Sequence, residues 1–508
     1  MPPTDRATLT PGLAASLTFV AAATVLVLEI AAGRLLAPYV GVSLTTYTGI
    51  IGVILAGIAL GAWAGGRAAD DYGPLTLLGP TLVTGGLAAI ASVPIVDVVG
   101  SLDLGSGIGA IVVLAALGFV APAATLSAVA PMIVRATITD IETSGSLVGR
   151  LSAVGTVGAI SGTFLTGFVL LGALPTRVII FGAGGLVVLT GVAVTWWAAQ
   201  RGRRDGGGSG SAAGIGGKLL GTLIGFVAVT GVGLAAPRPC ERESAYYCIA
   251  VVEDPVRSGG RTLVLDRLRH AYVDLADPSH LQFGYIRLFD AALADPIAAR
   301  GGDVDVLHVG GGGFSFPRFL AAAHPASRHT VLELDPVVLD VARTELGFAP
   351  ASGVSVIVGD ARLSAAELVD DSYDAIVGDA FGGLSVPWHL TTAEFLGELD
   401  RLLGPGGRYV MNLIDGEGLR FVRAEAGTLA ARFEHVAVLA PPSSYAGGGN
   451  VVLVASHEPI DADAIEQRVV GGGDQVRIVT GDDELAAFVA GATVLTDDFA
   501  PVDQLIGR

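Results

Sequence analysis

The stretch Val304-Asp-Val-Leu-His-Val-Gly-Gly-Gly-Gly313 decides how this chain is read. An apolar run that ends in four glycines and passes into a helix-like segment, Phe316 to Ala323, has the form of the first strand, turn and helix of a doubly wound α/β sheet. Glycine has no Cβ and tolerates positive φ, so Gly310, Gly311, Gly312 and Gly313 let the backbone turn tightly and lie against a ligand. About twenty residues on, the usual spacing to a ribose-binding acid in such sheets, Thr330-Val-Leu-Glu-Leu-Asp335 puts Glu333 and Asp335 at the end of the second strand. A third strand, Val354 to Gly359, ends in Asp360 and Ala361, and a fourth, Tyr373 to Gly378, ends in Asp379. Three successive strands that end in an acid at the ligand-binding edge predict a nucleoside site. No Gly-Lys-Ser or Gly-Lys-Thr follows the glycines, which argues against a phosphate-binding loop. Asp335 also precedes Pro336, so a helix cap is an equal reading of that residue.

Working outward, the composition requires membrane spans. The 508 residues are 51% hydrophobic and only 15% charged, too apolar for a purely soluble chain. Up to Cys240 there are 11 Lys and Arg against 9 Asp and Glu; beyond it there are 19 against 39. The acidity belongs to the second half, which makes it a poor candidate for a nucleic-acid surface and a plausible partner for cationic substrates. Apolar stretches of about 20 residues, the length that crosses a bilayer as helix, lie near 12–32, 47–66, 75–97, 107–133, 150–173, 177–197 and 217–236. Seven spans are therefore expected, with no removable signal peptide ahead of them. Gly57, Gly61 and Gly65, like Gly155, Gly158 and Gly162, have the small-residue spacing of closely packed helices. Glu29 is the one acid deep in a span, which makes it a functional-site candidate and equally a structural partner of Arg34, a little over a turn away.

Basic residues collect on one side of these spans, among them Arg6, Arg67, Arg135, Arg150 and Arg201, which places the N-terminus in the cytoplasm. An odd number of spans then turns the acidic half outward. Cys240 and Cys248, just past the last span, are the only cysteines and a candidate disulfide for an oxidising compartment. The Gly- and Ser-rich stretch from Gly206 to Gly217 reads as a connecting loop.

In the second half, Ala245 to Val252 and Arg261 to Asp266 read as a β-hairpin ahead of the sheet. A helix near 279–294 follows, and the sheet closes with Arg408 to Leu413, a helix near 417–432, and the strands Val436 to Leu439 and Val451 to Ala455. The expected division is 1–237 membrane helices, 238–276 β-subdomain, 277–458 nucleoside-binding domain and 459–508 acidic C-terminal segment. Within that last segment Leu495 to Asp503 reads as a lid or docking strap.

The order Glu243-Ser-Ala-Tyr-Tyr247, Leu263-Val-Leu-Asp266, Gly310 to Gly313, Glu333-Leu-Asp335, Gly359-Asp360 and Asp374-Ala-Ile-Val-Gly-Asp379 resembles the spermidine synthase family of polyamine aminopropyltransferases. Arg34-Leu-Leu-Ala-Pro-Tyr39 and Gly65-Gly-Arg-Ala-Ala-Asp70 resemble its branch fused to a multi-span membrane region. The resemblance implies a class I methyltransferase-like Rossmann sheet behind a small N-terminal β-subdomain. It implies transfer of an aminopropyl group from decarboxylated S-adenosylmethionine to an amine, putrescine in the family, with methylthioadenosine released and no metal. Carried over, Gly310 to Gly312 face the methionine-derived part of the donor, Glu333 holds the ribose, Asp360 with Ala361 meets the adenine, and Asp379 stands at the reacting centre. A carboxylate suits that place, because it attracts an ammonium and accepts the proton the amine must lose. Three positions depart from the family pattern. Gly313 stands where an aspartate grips the aminopropyl amine, Asp379-Ala-Phe-Gly382 lacks a second aspartate, and Tyr285-Ile-Arg287 replaces Tyr-Gln-Glu. Together they remove the groups that would hold a diamine.

His389 is a candidate base or a partner that orients Asp379, and equally a structural histidine ahead of a helix cap. Tyr285, His270 and Asp266 are candidates for the acceptor pocket, whereas His308, inside the first strand, reads as core. Expected partners are a small cationic amine, the lipid bilayer and a second copy in a homodimer. Two other functions fit the same residues: a methyltransferase using S-adenosylmethionine itself, and a non-catalytic polyamine- or nucleoside-binding or transport protein.

Overall fold

A computed structural model of the chain describes residues 9–105, 107–138, 144–204, 238–349, 353–383 and 386–506, with isolated positions between 221 and 231. The chain divides into two units, Met1–Cys248 and Ile249–Arg508.

In the first unit, uninterrupted apolar sequence forms long helices. These are α1 (Pro11–Val40), α2 (Leu44–Tyr72), α3 (Pro74–Gly100), α4 (Ile108–Ser127) running on into α5 (Val129–Thr137), α6 (Ser144–Leu165) continued through a π turn into α7 (Leu171–Ala173), and α8 (Thr176–Arg204). Counting α4 with α5 and α6 with α7, six helices among the described residues are long and apolar enough to cross a membrane. Their outer faces stay apolar, with Trp63, Leu60, Phe168 and Leu189 exposed. These helices match the first six expected spans. The seventh, 217–236, and the Gly206 to Gly217 loop lie outside the described residues, isolated positions apart.

The glycine spacing does what small residues do between helices. A Cβ on Gly61 would stand 2.0 Å from the Ala124 carbonyl of α4, and one on Gly162 would stand 2.4 Å from the Ala23 carbonyl of α1. Arg34 does not pair with Glu29. Its guanidinium donates to the Ser244 carbonyl at 2.8 Å and to that of Tyr246, because those carbonyls lie at the C-terminal end of α1. Beside them, β1 (Arg242–Glu243) presents the Glu243 carboxylate to the N-terminus of α8, where the Thr176 amide donates to both its oxygens at 3.1 Å. Cys240 and Cys248 are disulfide-bonded, their Cα atoms 5.3 Å apart. Segment 238–248 therefore rests at the end of the helices opposite the start of α1. At that same end Asp97 of α3 accepts from Tyr39 at 3.0 Å and pairs with Arg177 at 2.8 Å.

The second unit opens with antiparallel strands β2 (Cys248–Glu253), β3 (Gly260–Leu265) and β4 (Leu268–Asp274). The third strand was not legible because Leu268-Arg-His-Ala-Tyr-Val-Asp274 is charged and alternates poorly. Helix Gly284–Ala299 leads into the main sheet, whose strands are β5 (Asp305–Val309), β6 (Arg328–Glu333), β7 (Val354–Val358), β8 (Tyr373–Gly378), β9 (Leu403–Asp415), β10 (His435–Ala440), β11 (Gly449–Ser456) and β12 (Arg477–Val479). The strand order is β12-β10-β11-β9-β8-β5-β6-β7. Strands β7, β6, β5, β8 and β9 run parallel, and β11 is antiparallel to both its neighbours. This is an α/β methyltransferase-like Rossmann fold with a mixed sheet. Connections leave β5 in one direction and return to β8 on its other side, so a crevice opens at their carboxyl ends. Apolar clusters cover both faces of the sheet, one under Phe395, Leu399 and Phe421, the other under Phe289 and Leu320. The acidic C-terminal segment is built into this unit. Arg477–Val479 extends the sheet edge, and Asp497 binds Arg362 at 2.6 and 2.7 Å.

Candidate active site

The crevice between β5 and β8 is the centre of a cavity of about 410 Å³. Gly310, φ +104°, begins its floor, and a Cβ there would lie 2.5 Å from the Asp379 carbonyl. Only glycine permits this approach, which the Asp379 amide reinforces by donating to the Val309 carbonyl at 2.9 Å. Gly311 and Gly312 turn their N–H groups onto Glu333 Oε2, at 2.9 and 3.1 Å, while Glu333 Oε1 accepts from the Asp335 amide at 2.8 Å. Glu333 thus sets the shape of the glycine loop. Burial raises its pKa above the usual carboxylate value, and these three amide bonds oppose that rise.

Asp379 follows β8 and faces the cavity. Its Oδ2 accepts from the Tyr285 hydroxyl at 3.1 Å and its Oδ1 from Asn412 Nδ2 at 3.0 Å. Asn450 in turn donates to Asn412 Oδ1 at 3.0 Å, which fixes the amide so that its NH2 points at the carboxylate. Enclosure pushes the Asp379 carboxyl up to about 6, despite the two donors that lower it. It is a base at pH 7 and accepts a proton readily just below that.

On the opposite wall, a β-bulge in β4 carries Arg269, His270 and Ala271 into the lining: Leu263 pairs with Ala271 and Val264 with Arg269, and His270 is the extra residue. Burial pushes His270 down to about 4, so it is neutral at physiological pH. A Cβ on Gly313 would meet the Ala271 Cβ at 2.7 Å, so β4 closes the place where the family pattern has an aspartate.

Of the candidate site residues, Tyr285, His270, Asp379 and the four glycines line this cavity together. Other expected residues stand elsewhere. His389 does not orient Asp379; its Nε2 lies 3.1 Å from Asp360 Oδ2, because the loop after β8 carries it across to the end of β7. Asp360 Oδ1 caps the short helix Ala361–Ala365, accepting from Arg362 and Leu363, and Ala361 is the first residue of that helix. Asp335 caps helix Pro336–Thr344 through the Val337 amide at 2.9 Å. Asp266 occupies the β3–β4 turn at φ +54°, outside the lining, since a two-residue turn there needs a left-handed residue. Arg287 turns away to Asp474, 2.8 Å distant. His308 is core, 3.1 Å from His329. Asn412, Asn450 and Arg269 were missed by sequence reading. The signal for Asn412 was available: it is the one amide in the apolar run Tyr409 to Leu413.

Residues 307–411 match the model of a methyltransferase domain. A polyamine aminopropyltransferase of Vibrio vulnificus is 38% identical over 144 residues, 28% of this chain and 46% of that protein. A second, of Chromobacterium violaceum, is 30% identical over 145 residues, 28% of this chain and 54% of its own length. The chain thus spans about half the length of these two curated relatives. Among solved structures, a probable spermidine synthase from Corynebacterium glutamicum is 30% identical; the match covers 51% of this chain and 95% of that one, with a TM-score of 0.47. These sequence matches support a member of the spermidine synthase family with an additional N-terminal region, in which the described residues form long apolar helices.

Proposed function

We propose that this chain is a membrane-embedded transferase that moves an aminopropyl group from an adenosyl-sulfonium donor to an amine held at Asp379. The observation that carries the reading is the Asp379 carboxylate, held by Tyr285 and Asn412 and raised to about 6, opening onto a glycine-floored cavity at the strand-order reversal. An incoming amine attacks the carbon next to the sulfonium, the carbon–sulfur bond breaks, and the thioether nucleoside leaves with the electron pair. Asp379 attracts the acceptor's ammonium and takes a proton from it, which frees the nitrogen lone pair for that attack. Its negative charge also favours the cationic donor. In this reading Glu333 fixes the loop and meets the ribose, and Asp360 lies toward the adenine.

Methyl transfer from S-adenosylmethionine is the second reading, favoured by one observation: Ala271 leaves no room at Gly313 for the acid that would grip an aminopropyl amine.

The apolar helices support a multi-pass location in a bilayer. Segment 238–248 rests at the end opposite the start of α1, and the basic side contains Arg67, Arg135 and Arg150. With the N-terminus inside, the chain beyond Cys248 emerges outside, where the Cys240–Cys248 disulfide is stable.

Calorimetric titration of the full chain in detergent with S-adenosylmethionine, its decarboxylated form and methylthioadenosine tests the proposal. Saturable binding of methylthioadenosine and of at least one donor is expected. Binding of none of the three removes the transferase reading and leaves the binding-protein alternative.

A further inference from the structure

The charges that line the cavity do not suit a diamine. Among its described lining residues only Arg269 and Asp379 carry charge, because His270 is neutral and Arg287 is turned away to Asp474. Arg269 is exposed in the lining, its guanidinium 5.6 Å from the Phe283 ring centroid, and no carboxylate pairs with it among the described residues. Contact with the ring face holds the guanidinium without neutralising it. The β4 bulge that presents Arg269 also puts Ala271 against the glycine loop, so the cation and the excluded acid at Gly313 come from one piece of backbone. A diammonium ligand would find one carboxylate and one arginine here. A ligand with an ammonium and a carboxylate would find a partner for each, and arginine pairs with carboxylates through two parallel N–H···O bonds.

We infer that the cavity takes a carboxylate-bearing, zwitterionic ligand and that Arg269 receives its carboxylate. This rests on the adenosyl-donor reading above. Two sources have that chemistry: a donor that keeps its carboxylate, and an acceptor of the amino-acid type.

Two ligand pairs that differ by one carboxylate test it on the full chain in detergent. S-Adenosylmethionine against its decarboxylated form examines the donor; ornithine against putrescine, with methylthioadenosine present, examines the acceptor. Wild type is expected to favour the carboxylated member of at least one pair by about tenfold or more, and the pair that shows it identifies the source. Arg269→Gln should abolish that preference, and Arg269→Lys should restore part of it, since lysine keeps the charge but not the paired geometry. Methylthioadenosine has neither group, so its unchanged binding to Arg269→Gln reports an intact cavity. A preference that survives Arg269→Gln, or no preference in either pair, overturns the inference while leaving the adenosyl site in place. Failure of wild type to bind methylthioadenosine would instead count against the donor site itself.

Discussion

Asp379 receives two hydrogen bonds that favour its charged form, from Tyr285 and Asn412, against an enclosure that disfavours it. In the proposed transfer it accepts the proton and so works ionised, and turnover should then fall as pH drops through about 6. Tyr285→Phe removes one stabilising donor, raises the pKa further and moves that acid limb to higher pH, which a pH–rate profile of both proteins reads directly. Glu425 presents the opposite case. It is fully buried in helix Arg420–Ala430 with no hydrogen-bond partner for either oxygen among the described residues, and burial holds its pKa well above the usual carboxylate value. The unfolded chain ionises near the ordinary value, so this group costs stability increasingly as pH rises above it. Glu425→Leu should stabilise the protein by about 1 kcal/mol, more at pH 8 than at pH 5, in denaturant titrations. At this scale the sequence yielded the glycines, Asp379 and Tyr285, whose types state their chemistry. It missed Asn450, which reaches the site only through the β9–β11 register, in which Asn450 faces Ile414 and Val452 faces Asn412. It left His389 open between a base beside Asp379 and a structural histidine, because nine residues lie between the two and sequence does not say to which strand end such a segment returns.

Among the elements, the contact of β5 with β8 bears most on function. Gly310→Ala would force a Cβ to within 2.5 Å of the Asp379 carbonyl from a backbone at φ +104°. A loss of about 2 kcal/mol or more is expected, with nucleoside binding lost before the fold, as separate melting and titration measurements would show. Strands β5 and β6 also carry a buried histidine pair, His308 and His329, joined at 3.1 Å, with Ser327 on the far nitrogen of His329 at 2.8 Å. Burial, helped by repulsion from His329, holds His308 well below the usual value, and burial takes His329 to about 4. The unfolded state binds these protons first, so stability is lost as pH falls from about 6.5 toward 4. Melting temperature should decline across that window, less steeply in His329→Asn. The parallel strands were legible because each is an apolar run ending in glycine or an acid. The short β12 and the charged β4 were not, since pairing with an already formed neighbour, rather than their own pattern, makes them strands.

For the whole molecule, the long apolar helices were legible from composition, while the anchoring of segment 238–248 was not. It depends on Arg34 and Thr176, which lie more than a hundred residues apart in sequence and meet that segment only in the folded helices. In cells expressing the chain, protease added from outside should cut the region after Cys248 and spare the N-terminus. Cys240 and Cys248 should resist alkylation until reduced. Cleavage only after the cells are opened would reverse the proposed orientation.

The central claim is that the cavity between β5 and β8 performs group transfer from an adenosyl-sulfonium donor, with Asp379 as the proton acceptor. Its most direct test is mass-spectrometric measurement of thioether nucleoside released from donor and amine by the full-length protein and by Asp379→Asn. The account predicts time-dependent release by the wild type and a loss of at least about a hundredfold in the variant, the scale of a missing general base. Equal release by both proteins, with donor binding intact, would contradict it.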